Sequence, residues 1–237
     1  MTQAYRIRRH PNARRVTLKV HPDQSLEVVA PPRLSRRWIE RFLHERADWI
    51  EAAQTRVSQQ QKLRPAELDD PFPGRIELPA IGSSLNVRYD EQGIRTSLRW
   101  DDKDALLIAG PKTPDAVKAG LIHALKSIAK NRLEPQLHAL ADQYGLSVSH
   151  VSWRNQKTRW GSCRRVAANV GRISLNIRLL LLPPASARYV LVHELAHIEH
   201  PNHSAAFWQC VEHMQADYRE HQQAIKRASL NLPCWIL

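Results

Sequence analysis

The chain has 237 residues and a hydrophobic fraction of 43%, which suffices for the core of one large domain or two small ones. No apolar run approaches the roughly 18 residues of a membrane span, and the basic N-terminus lacks the apolar segment of a secretory signal. Cys163, Cys210 and Cys234 are odd in number and lack framework spacing. We therefore expect a cytoplasmic protein with reduced thiols, in which zinc ligation by Cys163 or Cys210 stays open.

The formal net charge of +12 is concentrated in two stretches that contain no acidic residue. One lies within residues 6–19, and the other runs from Gln143 to His193. Their basic residues are Arg6, Arg8, Arg9, Arg14, Arg15 and Lys19, then Arg154, Lys157, Arg159, Arg164, Arg165, Arg172, Arg178 and Arg188. Such stretches are either solvated faces or surfaces that attract DNA, another polyanion or acidic protein segments.

The first part of the chain combines strand patterns with one helix. Alternating apolar and polar residues on both sides of a turn predict a hairpin over residues 14–30. Ser35 suits the N-cap of a long amphipathic helix over residues 36–57, and a polar, proline-rich linker over 58–75 follows. Short strands are then expected at 75–78, 84–89, 96–100 and 105–109. These elements predict a β-rich N-terminal domain with one long helix, over residues 1–110.

Residues 111–237 are expected to form a second domain that begins with a long helix. Thr113 caps this helix, Pro135 kinks or splits it, and Gly145 ends it. The elements expected after it are a strand at 148–153, a loop at 157–163, a strand at 172–182, a helix from about Ala185 and a last long helix capped by Ser204.

The helix that starts near Ala185 carries the motif HExxH. On this helix His193 and His197 are four residues apart, so both imidazoles lie on one face and can reach a single zinc ion. Glu194 is rotated by about 100° from His193, where it can face a zinc-bound water without binding the metal. This spacing predicts two metal ligands and a general base.

A third histidine follows the motif after a proline. Pro201 cannot continue the helix, and the resulting turn can bring His203 back over the metal as a third ligand. Metzincins show the same spacing of three histidines, but His200 stands where their pattern has glycine, so the turn must differ. We interpret His200 as a solvated residue at the end of the helix, where the helix dipole favours a cation.

Four segments around the motif resemble the bacterial YgjP-like metallopeptidase family, which is related to the SprT and WLM zinc proteases. The segments are Arg159-Trp160-Gly161-Ser162-Cys163, Ile173-Ser174-Leu175-Asn176, Tyr189 to His197, and Asn202-His203-Ser204 with Phe207-Trp208. The resemblance extends to the N-terminus through the basic arm, the strand that ends at Pro31, and the helix that contains Trp49-Ile50.

This resemblance implies an α+β fold in which a zincin-like metallopeptidase domain follows the small β-rich part. It implies that His193, His197 and His203 bind Zn²⁺ and that Glu194 is the catalytic acid–base. Segments 159–161 and 173–176 would lie near the cleft, and the relatives' link to DNA-associated proteolysis is consistent with the basic stretches.

The leading hypothesis is a zinc-dependent peptidase in which Glu194 activates a zinc-bound water for peptide-bond hydrolysis. Its expected substrates are acidic or nucleic-acid-associated proteins or peptides. No interaction with a membrane is expected. Candidates for a second oxyanion donor are Arg159, His200 and Tyr218, and one edge of residues 172–175 could pair with an extended substrate. Two alternatives stay open: a basic nucleic-acid-binding protein with a structural zinc site, and a zinc hydrolase that acts on a non-peptide bond.

Overall fold

The computed structural model describes residues 5–21, 23–62, 65–100 and 105–237, and the fold is α+β, as the sequence predicts. The predicted turn at 21–24 and linker at 58–75 fall partly outside these residues. The described strands are β1 Tyr5–Arg9, β2 Thr17–Val20, β3 Leu26–Ala30, β4 Arg75–Leu78, β5 Ser83–Asp90, β6 Ser97–Trp100, β7 Ala105–Ala109, β8 Ser147–Arg154, β9 Gly161–Ala167 and β10 Val170–Asn176. The described helices are α1 Arg36–Glu45, α2 Ala47–Lys62, α3 Pro114–Arg132, α4 Glu134–Gln143, α5 Pro184–Glu199, α6 Ala205–Met214 and α7 Tyr218–Leu230. Across the described ranges, each helix is too short or too polar to cross a bilayer.

The chain divides into two compact units, Met1–Pro65 and Ala66–Leu237. In the first unit β3 is the central strand of a three-stranded sheet, antiparallel to β2 as the predicted hairpin requires and parallel to β1. Val28 and Ala30 of this strand pack with Ile39 of α1 in a small core. Ser35 caps α1, but the helix expected over 36–57 is interrupted at Arg46, where φ is −110° and ψ is 15°.

The second unit contains the sheet β4-β5-β7-β6 as well as the motif helix. Gly120 of α3 lies against this sheet so closely that an added Cβ would stand 3.1 Å from Leu98 and 3.5 Å from Ile108. Because the sheet shares one hydrophobic core with α3 and α5, the compact units divide after residue 65. The division expected from the sequence lies after residue 110.

A second sheet in this unit, in the order β8-β10-β9, lies beside the motif helix α5. Its central strand β10 is parallel to β8 and antiparallel to β9. Three expectations were wrong here. Strand β9 occupies part of the predicted loop and extends beyond it, and the predicted strand at 172–182 becomes a 3₁₀ turn from Ile177 to Leu181. The expected last long helix is divided into α6 and α7. The helix that begins after Thr113 is split near Pro135, as predicted.

Asn176, at the end of β10, stabilises the loop that precedes β9 through hydrogen bonds. Its buried side-chain amide donates to the carbonyl oxygens of Gln156 at 2.7 Å and Arg159 at 2.8 Å, and its backbone N–H donates to Trp160 O at 2.9 Å. The side-chain oxygen accepts from the N–H of Arg178 at 3.1 Å. One buried side chain therefore satisfies the polar backbone groups of a loop that has no regular pairing of its own.

We expect Asn176→Asp to lower the free energy of unfolding by about 2–4 kcal/mol, because two carbonyls lose their donor and a carboxyl group enters a buried site. Urea denaturation followed by circular dichroism measures this change. Asn131→Asp is the matched control, since Asn131 is exposed on α3 and its replacement should change stability by no more than about 0.5 kcal/mol. Equal stability of the two variants would contradict the role given to Asn176.

Candidate active site

Helix α5 presents His193, Glu194 and His197 as the motif spacing predicts. The centroids of the two imidazoles are 4.9 Å apart, and both rings are half-buried. Glu194 is only 5% exposed, so the motif faces the interior of the second unit. A carboxylate and two imidazoles are thus held on a helix whose other buried residues are mostly aliphatic.

The chain turns after α5 and brings His203 back to the motif. His200 ends the helix in an extended conformation, with φ −120° and ψ 95°. After the turn, the Nε2 atom of His203 lies 3.1 Å from the Nε2 atom of His193. One ring nitrogen from each of His193, His197 and His203 lies within 4.8 Å of the others, so the structure brings all three predicted ligands together.

Phe207 of α6 packs behind all three histidines. Its ring centroid lies 5.0 Å from that of His193, 4.5 Å from that of His197 and 4.8 Å from that of His203. Trp208 stacks on His203, with ring centroids 5.6 Å apart and planes 21° apart. Ser204 caps α6 by accepting from the N–H of Phe207, so the residue after His203 fixes the helix that supports it.

One hydrogen bond fixes which nitrogen of His197 remains free, and another orients the ring of His193. Nδ1 of His197 lies 3.0 Å from the carbonyl oxygen of His200, so it must carry the proton and donate, which leaves Nε2 with its lone pair. Nδ1 of His193 lies 3.3 Å from the hydroxyl of Tyr189, which accepts a further hydrogen bond from Gln222 at 3.1 Å. Outer partners of this kind orient metal-binding histidines in proteins.

The donor set fits a zinc ion. Two nitrogen ligands at 2.0–2.1 Å from tetrahedral zinc are about 3.3 Å apart, close to the 3.1 Å between His193 and His203. Burial, together with the charges of His197 and His203, lowers the pKa of His193 to about 3, and burial also lowers the pKa of His197. Neutral imidazoles at physiological pH are the form that binds a cation.

Glu194 is held against the first residue of β9. A Cβ atom added to Gly161 would lie 2.5 Å from Oε1 of Glu194, so only glycine allows the strand to pass this close to the carboxylate. The other oxygen, Oε2, is buried and has no hydrogen-bond partner among the described residues. Burial raises the pKa of Glu194 to about 8, although the nearby Arg159 acts in the opposite direction. A buried oxygen without a partner beside three convergent imidazoles is the environment that a bound cation and water would complete.

A cleft of about 460 Å³ opens beside Glu194. Its lining comprises Arg159, Trp160, Gly161, Tyr189, Val190, His193, Glu194, Gln222, Ile225, Lys226 and Ser229. Segment 159–161 therefore lies at the cleft, as the resemblance implies. Of the residues proposed as oxyanion donors, only Arg159 lines the cleft, since Tyr218 is stacked between Tyr189 and Trp208 and His200 faces Glu199 and Cys210.

Sequence reasoning missed three contributors to this site. Tyr189 precedes His193 by four residues, so the helical repeat alone could have placed its hydroxyl beside that ring. Gln222 and Lys226 are spaced by four residues on α7, but nothing in the sequence of α7 indicates which helix it packs against.

The family model described as "YgjP-like, metallopeptidase domain" matches residues 14–228, a range that includes the three histidines, the cleft lining except Ser229, and most of the N-terminal unit. The chain belongs to this metallopeptidase family. It is therefore a peptidase, a hydrolase that acts on proteins or peptides and requires a metal ion. The family description does not mention nucleic acid.

One solved structure is similar over part of the chain. The "Crystal structure of the metallopeptidase zymogen of Pyrococcus abyssi abylysin" is 25% identical, covering 45% of this chain and 93% of that one, with a TM-score of 0.30. A TM-score this low supports no conclusion about shared structure. No curated protein matches this chain.

In the metal-free peptidase we expect Glu194→Gln to increase stability in a pH-dependent manner. The folded-state pKa of about 8 exceeds the ordinary glutamate pKa of 4.5, so the stability that this carboxyl group contributes below pH 4.5 is lost as the pH rises toward 8. A glutamine stays neutral, so the two proteins should be equally stable near pH 4, and the variant should be more stable by several kcal/mol at pH 9. Thermal unfolding in a chelator across this range measures the difference.

The control for this experiment is Glu212→Gln, because Glu212 is an exposed residue of the neighbouring helix α6. Its melting temperature should follow that of the wild type at every pH. If the melting temperature of Glu194→Gln also equals that of the wild type between pH 4 and pH 9, the carboxyl group is not held in a desolvated environment.

Proposed function

We propose that this peptidase is a zinc enzyme in which His193, His197 and His203 bind the metal and Glu194 is the general base. The observation that supports this best is the convergence of three imidazole nitrogens beside a buried carboxylate oxygen that has no partner among the described residues. A structural zinc site usually has four protein ligands and needs no carboxylate beside it. Three ligands with an adjacent acid are typical of a catalytic site.

A zinc ion at this position would polarise the scissile carbonyl and make a water molecule more acidic. Glu194 accepts the proton that the attacking water gives up and then delivers it to the leaving amine. Burial raises its pKa to about 8 in the metal-free protein, and a bound divalent cation would favour the charged form that accepts the proton. Tyr189 and the His200 carbonyl hold the imidazoles in the orientation that leaves Nε2 free.

Strand β9 is our proposed docking edge for the substrate backbone. Residues 172–175, the edge expected from the sequence, lie in the central strand β10, and both edges of that strand are already paired. Among the described residues, β9 is paired with β10 alone, and it begins at Gly161 in the lining of the cleft. An extended peptide added to this edge would run past Glu194.

The charge of the cleft favours an acidic substrate. Arg159 and Lys226 are exposed side chains in its lining, and Glu194 is the one carboxylate there. Since Glu194 is committed to the reacting water, a substrate that carries Asp or Glu near the scissile bond gains attraction from both cations. The cleft residues therefore support the expected preference for acidic substrates. Among the described residues of the cleft, none favours a nucleic-acid-associated protein over any other acidic protein.

We expect Glu194→Gln to retain zinc and to cleave an unfolded protein such as casein about 10²–10⁴-fold more slowly. His203→Ala should hold one equivalent of zinc less than the wild type, because two histidines alone hold the ion weakly. Zinc content is measured by atomic absorption and cleavage by gel electrophoresis. Glu212→Gln serves as the control and should match the wild type in both. A Glu194→Gln enzyme with undiminished cleavage would refute the proposed base, and metal retention without cleavage in the wild type would favour a binding protein with a structural zinc site.

We expect Lys226→Glu to reverse the preference between peptides with acidic and with basic residues flanking the scissile bond. A charge pair near the surface contributes about 1–2 kcal/mol, so the ratio of kcat/KM values should fall on the order of tenfold or more. Arg227→Glu is a close control, since Arg227 is the next residue on α7 and lies outside the cleft lining. If both variants change the ratio equally, the general field of the protein, and not the cleft, determines the preference.

A further inference from the structure

A second cluster of metal-ligating side chains lies behind the three histidines. Glu199 ends α5, His200 follows it, and Cys210 faces them from α6. One ligand atom from each lies within 4.8 Å of the others. His200 and Cys210 are half-buried, and Glu199 is exposed, so the cluster can exchange an ion with solvent.

The spacing within the cluster suits a tetrahedral ion. The Sγ atom of Cys210 lies 3.6 Å from Oε2 of Glu199. A thiolate at about 2.3 Å and a carboxylate oxygen at about 2.1 Å from tetrahedral zinc are about 3.6 Å apart, so neither side chain has to move. Thiolate, imidazole and carboxylate together form a ligand set that selects zinc or cobalt over magnesium or calcium.

The cluster is separate from the three histidines but is connected to them through the backbone. The carbonyl oxygen of His200 accepts the hydrogen bond that orients His197, while the His200 side chain belongs to the second cluster. Cys210 follows Phe207 by three residues on the helix that supports all three histidines. An ion at the cluster would link the end of α5 to α6 near the turn that positions His203.

We propose that Glu199, His200 and Cys210 form a second transition-metal site, which binds Zn²⁺ with a water as the fourth ligand and locks the turn between α5 and α6. On binding, the Cys210 thiol loses its proton to solvent and a sulfur–metal bond forms. This site does not depend on the assignment of the three histidines, so the two proposals fail separately.

Cobalt titration of the metal-free full chain tests the proposal, because a thiolate bound to Co²⁺ gives an intense near-ultraviolet charge-transfer band that histidine and carboxylate ligands do not. We expect the wild type to bind two ions and to show this band. Cys210→Ser should bind one ion and lose the band. His203→Ala should also bind one ion, but it should keep the band. A wild type without the band would overturn the proposal, and the 3.6 Å contact would then be a thiol–carboxylate hydrogen bond only.

Two further variants keep the test informative if Cys210→Ser folds poorly. His200→Gln retains the backbone carbonyl that orients His197 and should weaken the band without removing the ion from the three histidines. Cys234→Ser removes the thiol of the C-terminal 3₁₀ turn Cys234–Ile236, outside the cluster, and should leave both ions and the band unchanged. A band that disappears in Cys234→Ser, or that persists in Cys210→Ser, would assign the thiolate elsewhere.

Discussion

The carboxyl group of Glu194 is buried where β9 passes over the motif helix, and this contact constrains the rest of the second unit. It requires a glycine at position 161, because any side chain there would occupy the space of the carboxylate. It also leaves one oxygen without a partner, which is unfavourable unless a charge or a water molecule completes the site. The proposed zinc ion would offset this deficit, since a divalent cation near a buried carboxylate favours its charged form.

The histidines are positioned by packing as much as by hydrogen bonds. Phe207 contacts all three rings, so the positions of His193 and His197 on α5 and of His203 on the turn are coupled through one buried side chain. Because of this packing, the three imidazoles are already arranged for an ion, and binding requires little further ordering of their side chains. The turn after His200 replaces the glycine turn of metzincins with an extended residue, so the third histidine reaches the others by a different path.

The local features of the site could be predicted from the sequence, and the features that depend on distant packing could not. The caps at Ser35, Thr113 and Ser204 and the strands β4 and β7 follow from short-range patterns and lie where those patterns place them. Strand β9 was missed because its second half is exposed on both faces, so its residues show no alternation of apolar and polar side chains. Strand β1 was missed because its partner β3 is parallel and distant in the sequence, and no turn connects the two.

The sequence also gave no indication of what surrounds the motif in space. Four cleft residues come from α7, whose position against α5 is determined by side chains such as Ile225 that pack in the core. Asn176 is an ordinary polar residue at the end of a strand until its four hydrogen bonds show that it holds the loop before β9. Such roles arise from tertiary contacts, and no periodic pattern of apolar and polar residues in the sequence indicates them.

Anomalous diffraction at the zinc absorption edge, from crystals of the zinc-loaded protein, would show whether three histidines hold one zinc ion beside Glu194. We expect a peak at about 2.0–2.1 Å from the Nε2 atoms of His193, His197 and His203, independently of any peak at Cys210. Zinc-loaded crystals with no anomalous peak between these three rings would contradict it.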